Sequence, residues 1–151
     1  MGTDRENAEL AAELVRLTFL VQGVYAQVSA RHGLTAAQAK LLCVLAAGSR
    51  GMADLASALG VEKAGVTGLV DRAERLGLVA REPVPGDRRA LRVILTEEGK
   101  KAAGAFTADA SAAIAGLAAC LSPAEADAFL SGIARINESC GASVTLSASG
   151  H

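Results

Sequence analysis

Aromatic residues are scarce in this chain: one tyrosine, three phenylalanines and no tryptophan, 3% of 151 residues. Carbohydrate-binding and base-stacking platforms need flat aromatic faces, so both are a poor fit. Histidine is scarcer still, with only His32 and His151. A Ser-His-Asp triad or a histidine-rich zinc site is poorly supplied by so few, and no Walker motif or dinucleotide fingerprint occurs. The three cysteines, Cys43, Cys120 and Cys140, are an odd set without metal-ligand spacing. No metal and no cofactor are expected, and the thiols suit a reducing, cytoplasmic setting. Apolar runs are always interrupted by charge before 18 residues, which excludes a membrane-spanning helix. Met1 to Glu9 is polar and lacks the apolar core of a signal peptide. No enzyme chemistry is expected from this inventory.

What is present is apolar and small: the chain is 51% hydrophobic, with 16 glycines. Leu10, Leu14, Leu17, Val21, Val24 and Val28 recur at spacings of three and four, the seam of an amphipathic helix. Val15, Phe19, Leu20 and Tyr25 widen that seam beyond one face. A helix apolar nearly all round needs cover on several sides, and a second copy of the chain is the expected cover. Thr35-x-x-Gln38 is a capping box for a second helix running to about Ala47. Gly48 to Gly51 breaks it.

The stretch from Met52 to Thr96 organises the rest. Leu55, Ala56 and Leu59 share one face of a short helix, and Gly60 supplies a turn. Val66, Leu69, Val70 and Leu76 are read as the buried face of the next helix, which stops at Gly77. A small residue, a turn glycine and a β-branched plug in that order suit a helix-turn-helix. Two strand-like segments follow, Leu78 to Glu82 and Leu91 to Leu95, around the turn-rich loop Pro83 to Ala90. Helix-turn-helix then hairpin is a winged helix. The expected fold is therefore all-α with a small β-hairpin wing, an α+β winged helix carried by helices from both termini.

Thr96 is expected to cap a long alanine-rich helix, and Ser122-Pro123-Ala124-Glu125 to cap a final one with Phe129, Ile133 and Ile136 on its apolar face. The expected division is 1–34 for an N-terminal dimerisation helix and 35–96 for the DNA-binding domain. Residues 97–140 would supply C-terminal dimerisation helices, and 141–151 an unstructured tail.

A helix-turn-helix presents the N-terminal part of its second helix to base edges, which singles out Lys63, Ala64, Gly65, Thr67, Gly68 and Arg72. Thr67 can touch a thymine methyl and Lys63 can reach guanine or phosphate, while Arg72 suits a phosphate. Arg88 and Arg89, at the wing tip, suit the negative potential of a narrow minor groove. The net charge of −1 argues against nucleic acid until it is divided. Residues 50–101 hold ten Lys/Arg and eight Asp/Glu, whereas the remainder holds five and eight. The positive excess thus falls on the winged module.

Those residues resemble the MarR family of bacterial transcriptional regulators. The resemblance rests on Leu34-Thr35-Ala36-Ala37-Gln38, Leu55-Ala56, Val66-Thr67 and Leu69-Val70-Asp71-Arg72. It continues through Gly77-Leu78-Val79, Asp87-Arg88-Arg89 and Leu95-Thr96-Glu97-Glu98-Gly99. Ala73, where the family usually has leucine, and Gly68, where a longer side chain is common, depart from the pattern and bear on the base-reading surface. The resemblance implies a homodimer on a pseudo-palindromic operator of double-stranded DNA. It also implies a wing brace between Asp71 and Arg89, and a cleft for small aromatic acids to which Arg16, Phe19, Tyr25 and His32 would contribute. Two alternatives stay open on the residues alone: a winged-helix protein-interaction module without DNA binding, and a regulator that senses oxidation through its cysteines.

Overall fold

The structure is a computed structural model and describes residues 2–141. The expected tail therefore lies, from residue 142 onward, outside the described residues. Helix α1 spans Gly2–Arg31 and α2 spans Ala36–Ala46. Strand β1, Arg50–Gly51, leads directly into α3, Met52–Leu59, and α4, Lys63–Arg75. Strands β2, Val79–Val84, and β3, Asp87–Leu95, form the wing; α5, Glu97–Gly116, and α6, Pro123–Cys140, complete the chain. The winged helix expected from the sequence is present, mostly helical with a small antiparallel sheet.

Local chemistry accounts for most element boundaries. The Gln38 N–H donates to Thr35 Oγ1 at 3.1 Å and the Thr35 N–H donates to Gln38 Oε1 at 3.0 Å, so the capping box of α2 is closed. Ser122 and Glu125 close a second box at α6, with Pro123 in its first turn. Helix α4 ends in a Schellman arrangement. The Leu78 N–H reaches Ala73 O and the Gly77 N–H reaches Glu74 O, which requires Gly77 at φ +74°.

The sheet has three strands in the order β1-β3-β2, all antiparallel. The sequence pattern predicts only the two strands of the hairpin, and β1 adds a third. Arg50 and Gly51 pair with Val93 and Arg92 across the base of the wing. A two-residue strand carries no alternation to detect, and Gly48 to Gly51 reads only as a helix break.

The core joins Leu41, Leu42 and Leu55 with Val66 and Val70, Val79 and Val93 of the sheet, and Phe106 of α5. The buried face of α4 is Val66, Leu69, Val70 and Ala73. This corrects the expectation for Leu76, which is 57% exposed in the cap while Ala73 is fully buried. Seven residues bring Ala73 back to within about 20° of Val66, whereas ten carry Leu76 about 80° away.

Two regions bury little. In α1 only Val28 and Ser29 are buried, and α6 buries no residue at all. Leu10, Leu14, Val15, Phe19 and Leu20 of α1 are exposed, as are Phe129, Leu130 and Ile136 of α6.

The junction between wing and α5 depends on the close approach of one glycine, Gly99. The Thr96 N–H donates to Leu78 O, Thr96 Oγ1 donates to Gly77 O at 2.6 Å and the Gly99 N–H donates to Thr96 Oγ1 at 3.0 Å. A Cβ built on Gly99 would lie 1.9 Å from Leu78 O. The Leu-Thr-x-x-Gly run thus has a physical reason: the threonine caps α5 while the glycine lets the helix rest on the start of β2.

Candidate nucleic-acid interface

The turn between α3 and α4 is built as its residue types require. Gly60 takes φ +65°, and the Val61 N–H returns to Ala56 O at 3.0 Å. Ala56, Leu59 and Val66 are buried at the crossing. The outer face of α4 carries Lys63, Ala64, Gly65, Thr67 and Arg72, all exposed, with Gly68 half-buried among them. Ala73 is absent from that face, because it is core. Its departure from the family pattern therefore concerns packing and not base reading.

The wing is held to α4 by a clamp that differs from the expected brace. Arg81 Nη2 bonds Asp71 Oδ1 at 2.6 Å and Arg81 Nη1 bonds Glu74 Oε1 at 3.1 Å. The Arg81 N–H also donates to Glu74 Oε2, at 3.3 Å. Asp71 is thus paired with Arg81 of β2, not with Arg89. The reason is register: Arg81 pairs with Val93 at the middle of the hairpin, close to α4, while Arg89 lies near the far end. There the Arg89 N–H donates to Asp87 Oδ1 at 3.0 Å.

That far end is irregular. Val84 pairs with Asp87, yet the preceding Pro83 pairs with Leu91. Arg88, Arg89 and Ala90 are therefore inserted into β3 with no partner residue on β2. Proline lacks the N–H that would continue the ladder, so the irregularity falls where Pro83 stands. Arg88 and Arg89 are both exposed on this bulge.

Ion pairing sorts the module's charges. Arg81 engages Asp71 and Glu74, Arg92 engages Glu82, and Lys100 and Lys101 engage Glu97 and Glu98. Five acids are compensated in this way by four cations. Among the described residues Lys63, Arg72, Arg88 and Arg89 have no side-chain ion pair, so positive charge is left on α4 and the wing.

Of the four residues expected to line an effector cleft, Tyr25 and His32 share a neighbour, both edge-on to Phe106 at 4.9 and 6.1 Å, while Arg16 and Phe19 lie apart from them on α1. Arg16 is exposed and bonds Glu13 at 2.7 Å, and Phe19 is 67% exposed on α1. His32 Nε2 lies 2.7 Å from Asp109 Oδ2, tying the end of α1 to α5. Tyr25 stacks edge-on against Phe106 at 4.9 Å, and its hydroxyl faces Cys43 Sγ at 3.8 Å. Burial foremost, and the neighbouring Cys43 second, raise the Tyr25 phenol above its ordinary range.

Tyr25 does line a cavity of about 570 Å³ between α1 and α2, with Gln22, Lys40 and Cys43 among its neighbours there. Lys40 and Cys43 are not legible as lining in the sequence, because a cavity between two helices has no signature in the order of residues. Lys40 Nζ donates to Leu59 O, at the end of α3, at 3.4 Å. Among the described residues no cluster of His, Cys, Asp and Glu could hold a metal ion, and no helix is long and apolar enough to cross a membrane.

A helix-turn-helix braced to a hairpin, with its unpaired cations on the second helix and the hairpin tip, defines a winged-helix protein. The model for the MarR family matches residues 32–90. Solved structures extend the likeness over most of the chain. Rv1404 from Mycobacterium tuberculosis is 26% identical with a TM-score of 0.77, covering 89% of this chain and 93% of its own. BpsR from Bordetella bronchiseptica, whose DNA binding is regulated by 6-hydroxynicotinic acid, is 26% identical with a TM-score of 0.70 over 85% of this chain and 98% of its own. Apo MarR from E. coli shares the fold at 22% identity and a TM-score of 0.77, over 84% of this chain and 95% of its own. No curated protein matches the sequence. Residues 32–90 thus match the MarR family of transcriptional regulators, and the fold is the one shared by solved winged-helix proteins of that kind.

Proposed function

We propose that this regulator works as a homodimer on a pseudo-palindromic duplex operator, with α4 of each subunit in a major groove and each wing beside it. The observation that carries this reading is the sorting of charge: Asp71, Glu74 and Glu82 are paired internally, while Lys63, Arg72, Arg88 and Arg89 are left to meet phosphates and bases. Two recognition helices related by a twofold would meet half-sites about 10 bp apart. The exposed apolar residues of α1 and α6 support the second subunit.

Arg88→Ala is expected to weaken binding to specific and unrelated duplexes alike and to lower the salt slope by about 0.9, the value for one phosphate contact. Fluorescence anisotropy across a salt series measures both quantities. An unchanged affinity and slope would exclude the wing as a DNA contact.

We further propose that the α1–α2 cavity receives a small aromatic acid, the chemistry named for BpsR. Its volume suits a small molecule, and Lys40 offers the cation. A carboxylate that draws Lys40 away from Leu59 O would loosen α3 just before the Gly60 turn. It would release DNA only by favouring the state that does not bind. Lys40→Met keeps the aliphatic stem and is expected to raise the acid concentration needed for release about tenfold or more, the worth of a charge-assisted hydrogen bond. Titration of hydroxynicotinic and salicylic acids into the protein–DNA complex tests this, and equal release from variant and parent would place the ligand elsewhere.

A further inference from the structure

We propose that Arg72 is the base-reading side chain of α4 and that it reaches its position across Gly68. This rests on the DNA-binding reading above and assigns Arg72 a guanine base instead of a phosphate.

The outer face of α4 offers few groups that can discriminate bases. Ala64, Gly65 and Gly68 carry no polar side-chain atom. Thr67 Oγ1 donates to Lys63 O at 2.9 Å, so its proton is spent inside the helix. Lys63 is a flexible point charge, better suited to phosphate than to a fixed pair of acceptors. Arg75 sits in the last turn, and its Nε donates to Asp71 O at 3.4 Å.

Arg72 is placed differently. A Cβ built on Gly68 would lie 3.3 Å from Arg72 Nη1, so the guanidinium rests against the glycine one turn nearer the N-terminus. Long helical side chains lean that way, toward the end of a recognition helix that enters the groove. The flanking acids do not hold it back, because Arg81 occupies both Asp71 and Glu74. Arg72 is thus a planar two-pronged donor, free of any ion pair among the described residues, laid along a strip without side chains. That fork matches O6 and N7 of guanine. The glycine that departs from the family pattern is, on this reading, the opening through which a residue four positions on is delivered.

The test is selection of bound duplexes from a random library by the full chain, by Arg72→Lys and by Gly68→Leu, each checked for folding by circular dichroism. Arg72→Lys keeps the charge and loses the fork; Gly68→Leu keeps Arg72 and fills its path with a good helix former. The parent is expected to enrich a motif with a guanine in each half-site. Both variants are expected to lose that preference roughly tenfold or more, with affinity for unrelated duplex and the salt slope unchanged. If both variants select the parent's motif, Arg72 does not read a base. If only Arg72→Lys alters it, the Gly68 path is wrong. If the parent enriches no motif at all, the DNA-binding reading itself fails.

Discussion

Gly99→Ala is expected to unfold about 10 °C below the parent at equal protein concentration, a loss of about 3 kcal/mol or more. The added methyl would sit 1.9 Å from Leu78 O, and the obstructing atom is backbone. That carbonyl already accepts the Thr96 N–H, so it cannot swing aside without breaking the cap of α5. Either α5 lifts from β2 or the cap opens. Gly104→Ala, five residues along the same helix, is the control. Nothing lies within 4 Å of a Cβ there, so the substitution should stabilise by up to about 1 kcal/mol through helix propensity. Opposite signs for one chemical change in one helix would isolate the contact from the propensity. Thermal melts of both variants decide it, and a Gly99→Ala melt at or above the parent's would mean that the junction is looser than described.

The double variant Phe19→Glu, Leu20→Glu is expected to halve the mass in solution and to weaken operator binding at least a hundredfold. Both side chains are more than half exposed on α1, so their charges should not harm the subunit's own core. In a dimer the same positions would place carboxylates in a dry interface, at a cost no surface salt bridge offsets. Loss of the second subunit removes one of two half-sites. The penalty is then the advantage of a linked second contact, on the order of a hundredfold to ten-thousandfold. Sedimentation at micromolar concentration, with anisotropy on a fixed operator, measures the two effects together. A variant that still sediments as a dimer would move the interface off this face of α1, and a monomeric parent would remove the twofold operator geometry altogether.

The contrast between what the sequence announces and what it conceals follows the range of the interactions. Thr35 with Gln38, Ser122 with Glu125, and Gly60 and Gly77 act within a few residues, so composition and spacing declare them. The charge excess of the winged module is likewise legible. The partner of Asp71 is not: Arg81, Arg88 and Arg89 are all arginines of the same hairpin, and register alone selects among them. That register depends on an irregularity at Pro83 and on a strand, Arg50–Gly51, too short to show alternation. Leu76 misleads for a different reason. Its hydrophobicity suits a buried face, yet the helix ends one residue earlier and turns it outward, while the less conspicuous Ala73 takes the core position. The cavity beside Tyr25 joins residues of two helices, and only their packing brings Lys40 beside it.

The internal pairing of Asp71, Glu74 and Glu82 bears on the pace of encounter. The winged module keeps a positive excess while the rest of the chain is negative, so the molecule has an electrical axis. A polyanion exerts a torque on such an axis before any contact is made, and approaching molecules arrive preferentially module-first. At 0.15 M ionic strength that guidance fades beyond about 8 Å, so it acts in the last step of approach and not at a distance. On the proposed DNA-binding function, the Arg81 clamp would act on the rate of docking as well as on the rigidity of the wing. By occupying two carboxylates beside α4 it removes the repulsion that would otherwise slow docking, and it does so without adding to the net charge that the chain carries elsewhere.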